Sequence, residues 1–128
     1  DKFHIPALII GPGFTPGTYD KVASQVDLMP TVLPFLGIDV EHPMLGRDVL
    51  SLPADTPGRA IMQQFDTHAL MVGDRVIVHQ PLADPLQFVF QERRLAPAEL
   101  DPEFERDGLA HALAPWLLYS ELRHRLPK

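Results

Sequence analysis

The sequence has no cysteine, only three serines, one tryptophan, and no apolar run near the ~20 residues that a membrane span needs. Without cysteine there are no disulfides, thiol nucleophiles or cysteine-based zinc sites, and neither redox environment is excluded. The serines (Ser24, Ser51, Ser120) stand outside any Gly-x-Ser-x-Gly turn. No basic stretch leads into an apolar one, so the residues show no signal-peptide pattern. Positive charge is also short. Lys and Arg number 11 against 17 Asp and Glu, a net charge of −6, which argues against a nucleic-acid partner.

What is present suits one compact domain of 128 residues, with 45% hydrophobic and 22% charged residues. Ala7 to Ile10 is a short apolar run closed by Gly11-Pro12-Gly13 and reads as a buried strand. Val26 to Leu36 reads as a short helix, apolar nearly all round and so expected to be buried. In it Asp27 is placed to cap, Pro30 falls in the first turn, Pro34 should kink or shorten it, and Gly37 can close it. Gly46-Arg47-Asp48 falls in a loop and Pro53 to Gly58 forms a linker. Four strand-like runs follow: Ala60–Phe65, Ala69–Val72, Arg75–Gln80 and Leu86–Gln91, with a type II′ hairpin signal at Gly73-Asp74. Glu103 to Leu126 reads as a long helix, acidic early and basic late, interrupted at Pro115. The expected class is α/β: a strand and helix from the edge of a larger sheet (residues 1–58), then a four-stranded antiparallel sheet packed on a long C-terminal helix (residues 59–128), the two treated as one compact fragment.

No complete catalytic set emerges from these residues. Gly11-Pro12-Gly13 is too short for a phosphate loop, and the six histidines show no metal-ligand spacing. His4, just before the expected strand, is a candidate substrate-binding residue, since sites in α/β folds gather at strand ends. Asp27 reads first as a helix cap and Arg47 as a loop residue paired with Asp48 or Glu41. His68, His79, His111 and His124 are expected at solvent or at helix termini, and Trp116 in the core.

One pattern is more specific. His4-Ile5-Pro6-Ala7-Leu8-Ile9-Ile10-Gly11-Pro12-Gly13, then Ser24-Gln25-Val26-Asp27-Leu28-Met29-Pro30-Thr31-Val32-Leu33 and Leu36-Gly37-Ile38, resembles the C-terminal part of the sulfatase family within the alkaline phosphatase superfamily. Its closest likeness is to the branch of lipoteichoic acid synthases and phosphoglycerol transferases. Gly46-Arg47-Asp48-Val49-Leu50, the run Leu70 to Arg75 and the Trp-containing last helix also look like that branch.

The resemblance implies a parent protein whose nucleophile and metal-binding Asp-His pair precede this segment. The chain opens on Asp1 and is read as cut from such a parent. The parent would use a divalent metal (Mn2+, Mg2+ or Ca2+) to transfer or hydrolyse a sulfuric or phosphoric ester, with no metal or cofactor held by this fragment. It would sit in the bacterial inner membrane with this domain on the outer side, the fragment itself soluble and making no membrane contact. By the same resemblance only His4 could reach a bound anion. The fragment alone is expected to be inactive, and the alternative is a non-catalytic interaction or regulatory module that kept the fold. Its expected partners are the remainder of its own catalytic domain and, through the unpaired edge at residues 5–10, a second copy.

Overall fold

The computed structural model describes residues 4–121. Its centre is an antiparallel sheet of five strands, β1 (Arg59–Gln64), β2 (Thr67–Val72), β3 (Arg75–His79), β4 (Leu86–Gln91) and β5 (Arg94–Pro97), in the order β1-β2-β3-β4-β5. A long helix, α2 (Pro102–Ser120), packs on β2 and β3. The expected α/β class, with an antiparallel sheet and a C-terminal helix, is what forms. No helix among the described residues is long and apolar enough to cross a membrane.

The hairpins follow from local chemistry. Gly73 takes φ +61° at the first loop position, as the Gly-Asp signal requires. Two other turns are made without glycine. Phe65 lies at φ +53°, and Glu92 and Arg93 lie at +49° and +62°. The sequence expectation stopped at four strands because Gln91-Glu92-Arg93-Arg94 carries none of the Asn-Gly chemistry that marks a tight turn. Pro97, at the end of β5, is tolerated because β5 is an edge strand.

The helix start is fixed more tightly. The Asp101 side chain accepts from Glu103 N at 2.9 Å and Phe104 N at 3.3 Å, with Pro102 in the first turn. Arg75 of β3 donates to Asp101 at 2.6 Å while its guanidinium lies 4.3 Å from the Phe104 ring centre. The core beneath is small: Leu70, Ile77 and Phe104, flanked by Ile61 and Val72. Gly108 lets α2 approach β3, since a Cβ there would strike Ile77 Cγ2 at 2.5 Å.

Several expectations fail. Ala7 to Ile10 is not a strand. Among the described residues no strand precedes β1, and Leu8 and Ile10 are 83% and 84% exposed. A strand exists only through a ladder partner, and the sheet of the described residues ends at β1. The segment Val26–Leu36 forms a 3-10 turn (Gln25–Asp27), a short helix α1 (Leu28–Val32) and a second 3-10 turn (Leu33–Leu36) closed by left-handed Gly37. It is buried only in part: Val26, Leu28, Met29, Phe35 and Leu36 are exposed, while Asp27, Pro30 and Thr31 are buried. Trp116, expected in the core, is 66% exposed, because α2 presents Phe104, Gly108 and His111 to the sheet and turns Trp116 away. The helix runs through Pro115. Its expected continuation to Leu126, with His124, lies outside the described residues.

Two outcomes test this reading. Phe65→Gly removes an exposed aromatic from a left-handed backbone and should raise the urea midpoint, by about 1 kcal/mol in stability. The second concerns Asp101, whose carboxyl is held below the ordinary value first by the Glu103 amide, then by the Phe104 amide and Arg75. A depressed folded value means that its stabilisation is complete above the unfolded aspartate range, about 3.9, and is lost as pH falls below it. Asp101→Asn should therefore be less stable than wild type at neutral pH, with the gap closing below about pH 4 in acid titrations followed by circular dichroism.

Candidate functional site

The described residues hold one dense polar cluster, centred on Asp27. Its side chain is 2% exposed, although the surrounding helix segment is open to solvent. Asp27 Oδ2 accepts from Ser24 N at 2.9 Å, and Oδ1 accepts from Arg47 N at 2.8 Å. Arg59 of β1 brings Nη2 to 3.5 Å from Oδ1 and donates the same nitrogen to Leu45 O at 2.9 Å. One carboxylate thus binds three segments: the 3-10 turn, the 45–47 loop and the sheet edge.

The neighbouring hydroxyls extend the network. Thr31 Oγ1, also buried, donates to Asp27 O at 2.7 Å and accepts from Val49 N at 3.1 Å. Ser24 Oγ accepts from Ile61 N at 3.1 Å, satisfying a donor on the free edge of β1. Gly46 is required by the same geometry, since a Cβ there would collide with the Val26 carbonyl.

On the far side, Arg59 Nη1 meets His111 Nε2 at 3.2 Å, and His111 Nδ1 meets Asp107 O at 2.8 Å. A backbone carbonyl can only accept, so Nδ1 carries the hydrogen and Nε2 accepts from the guanidinium. That tautomer ties α2 to β1. Burial pushes the Arg59 guanidinium below its ordinary value, and Arg47 adds to the shift while Asp27 opposes it. Arg47 Nε and Nη2 and Arg59 Nε are buried without a hydrogen-bond partner.

The sequence expectations fare unevenly here. Asp27 helps cap the helical segment, though as the third residue of a capping box whose carboxylate accepts from Ser24 N, and it also reaches across to Arg47 N and Arg59. Arg47 makes no ion pair with Asp48 or Glu41. Its backbone amide is held by Asp27, and its guanidinium lies inward beside Arg59. His111 and His79 are half-buried: His111 bonds Arg59, and His79 Nε2 is buried, 3.0 Å from where a Cβ on Gly108 would lie. His4 is exposed and takes no part in any bond of the cluster. Reasoning from sequence missed Arg59 and His111, 52 residues apart and joined only by the fold.

Among the described residues no group of three or more His, Cys, Asp or Glu is placed to hold a metal ion. The cluster is short of acceptors and rich in cationic donors, so a divalent metal does not fit it. Its chemistry is that of a structural tie.

Asp27→Ala would strand the Ser24 and Arg47 amides and leave Arg59 without its carboxylate. The expected loss is about 3–5 kcal/mol, the cost of breaking a buried charged pair. Thr31→Val, nearly equal in volume, should cost about 1–3 kcal/mol through the unpaired Val49 amide. Urea denaturation measures both, and an Asp27→Ala midpoint equal to wild type would refute the tie.

No family model matches the chain. It is similar to a protein in the alkaline phosphatase superfamily from Vibrio parahaemolyticus whose crystal structure is known. The two share 30% identity with a TM-score of 0.90, over 98% of this chain and 31% of that one. The chain spans about a third of the length of the structure it matches. Its fold is that of one segment of an alkaline phosphatase superfamily protein.

Proposed function

We propose that this chain is the C-terminal segment of a sulfatase-like protein of the alkaline phosphatase superfamily, of the lipoteichoic acid synthase or phosphoglycerol transferase branch. In this reading it completes and stabilises a catalytic domain whose reactive residues lie elsewhere in the same polypeptide. The observation that carries the proposal is the similarity over 98% of this chain to only 31% of a superfamily protein. The branch rests on the spacing of Ser24, Asp27, Pro30 and Thr31 and on Gly46-Arg47-Asp48. The structure gives Ser24, Asp27 and Thr31 bonding roles and leaves them no free chemistry.

The parent would hydrolyse or transfer a phosphate or sulfate ester, on the outer side of the bacterial inner membrane. Its divalent metal would be held by residues beyond those described here, because the Asp27 cluster does not suit one. His4 would contribute at most a donor to the bound anion, from the segment before Gly11. A second copy of the chain pairing along Ile5 to Ile10 belongs to the same proposal, since Ile5, Leu8 and Ile10 are exposed.

The test compares the parent protein with the 128-residue chain on aryl phosphate, aryl sulfate and phosphatidylglycerol. Turnover is expected from the parent, and none above background from the chain alone. His4→Ala in the parent should lower kcat/KM by roughly tenfold to a hundredfold, the worth of a hydrogen bond to a charged group. Turnover by the isolated chain would sink the proposal, and a parent without turnover would favour the non-catalytic module.

A further inference from the structure

The outer side of α2 is apolar, and the sheet does not use it. Residues 108–120 carry no Asp, Glu, Lys or Arg. Phe104, Gly108 and His111 turn to the sheet, and Pro115 borders the same small cavity as Ile61 and Ala69. These four follow one another in steps of four, three and four. About half a turn away run Arg106, Leu109, Leu113, Trp116 and Ser120, in steps of three and four again. Such a stripe, with a period of 3.5 residues, is what a helix presents to another helix.

The stripe is open. Leu109, Leu113 and Leu117 are 45–47% exposed and Trp116 is 66% exposed. A helix apolar all round belongs inside a structure, yet α2 meets only the sheet, through β2, β3 and the Arg59–His111 bond. The stripe ends in opposite charges, Arg106 before it and Glu121 after it, almost equally far from Leu113. Both are exposed.

We propose that α2 pairs with α2 of a second copy of this chain, antiparallel and across a two-fold axis near Leu113. Charge fixes both the occupant and the order. In a parallel pair Arg106 would face Arg106 and Glu121 would face Glu121. Antiparallel order brings each Arg106 level with Glu121 of the second copy, and does so twice by symmetry. It also sets Trp116 beside Leu109 and Leu117 over the small Ala110, and it opposes the two helix dipoles. The stripe offers roughly 500 Å² per copy, so about 1,000 Å² in the pair, the size of a weak and reversible interface. An anionic lipid surface suits α2 less well, because the helix opens on Glu103 and Glu105 and the chain carries a net charge of −6. This surface is separate from residues 5–10, and ester turnover has no bearing on it.

Analytical ultracentrifugation of the full-length polypeptide over a wide concentration range tests the pairing. A reversible monomer–dimer equilibrium is expected. Trp116→Ala should raise its Kd at least about tenfold, as the loss of a buried aromatic anchor does. Arg106→Glu should raise it about threefold to tenfold, and adding Glu121→Arg to that variant should restore most of the affinity. All three side chains are exposed, so circular dichroism should show each variant folded. Leu113→Cys supplies a second measurement, because residues 1–128 hold no cysteine of their own. Mild oxidation should link two copies through it, with the unsubstituted polypeptide as the blank. A monomer at every concentration overturns the proposal. So does a dimer that Trp116→Ala leaves unchanged, a doubly reversed variant no tighter than Arg106→Glu, or a Leu113→Cys polypeptide that forms no linked dimer. Binding to phosphatidylglycerol vesicles that Trp116→Ala abolishes, in a polypeptide that stays monomeric, would assign the stripe to lipid instead.

Discussion

One buried carboxylate holds this chain in its arrangement. Asp27 accepts from two backbone amides and faces a guanidinium, and those three donors come from three separate segments. A charge removed from water is costly unless every oxygen is engaged. Each of these donors therefore has a single acceptable position, and the loop at Gly46 and the edge of β1 are fixed by it. Thr31 and Ser24 act in the same way with weaker groups, one closing on Val49 and the other on Ile61. The cluster extends through Arg59 to His111, so the 3-10 turn, the sheet and α2 form one connected unit.

This arrangement puts polar groups inside and many apolar ones outside. Among the described residues only Leu70, Val76, Ile77 and Phe104 form the buried hydrophobic set, while Asp27, Thr31 and Ser24 are comparably buried. Meanwhile Leu28, Met29 and Leu36, the α2 residues Leu109, Leu113 and Trp116, and the sheet residues Leu86, Phe90 and Leu95 meet solvent. A chain with 45% hydrophobic residues can bury a larger core than this.

Much of the fold was legible in the sequence where local chemistry decides it. Alternation in Val76-Ile77-Val78 and Phe88-Val89-Phe90 gives strands, Gly73-Asp74 gives their hairpin, and Pro102 with the acidic first turn gives α2. The fifth strand was not legible, because Glu92 and Arg93 adopt a glycine-like turn that no residue preference announces. The opening strand was over-read, because an apolar run signals burial and says nothing of a ladder partner. At the candidate site, the spacing of Ser24, Asp27 and Thr31 marked a family-like motif, with Asp27 read as a helix cap and a site role given only to His4, which lies outside the cluster. It could not reveal their partners, since Arg47, Arg59, Ile61 and His111 lie 16 to 52 residues along the chain from the groups they bond.

The simple up-and-down order of the strands has a kinetic consequence. Every strand pairs with the next one in the chain, so the sheet closes only short loops and has little chain entropy to overcome at each step. The ties of Ser24 and Asp27 to β1 close loops of 37 and 32 residues instead. The meander is thus favoured to assemble first on refolding of the whole chain, as a template onto which the 24–31 segment then locks.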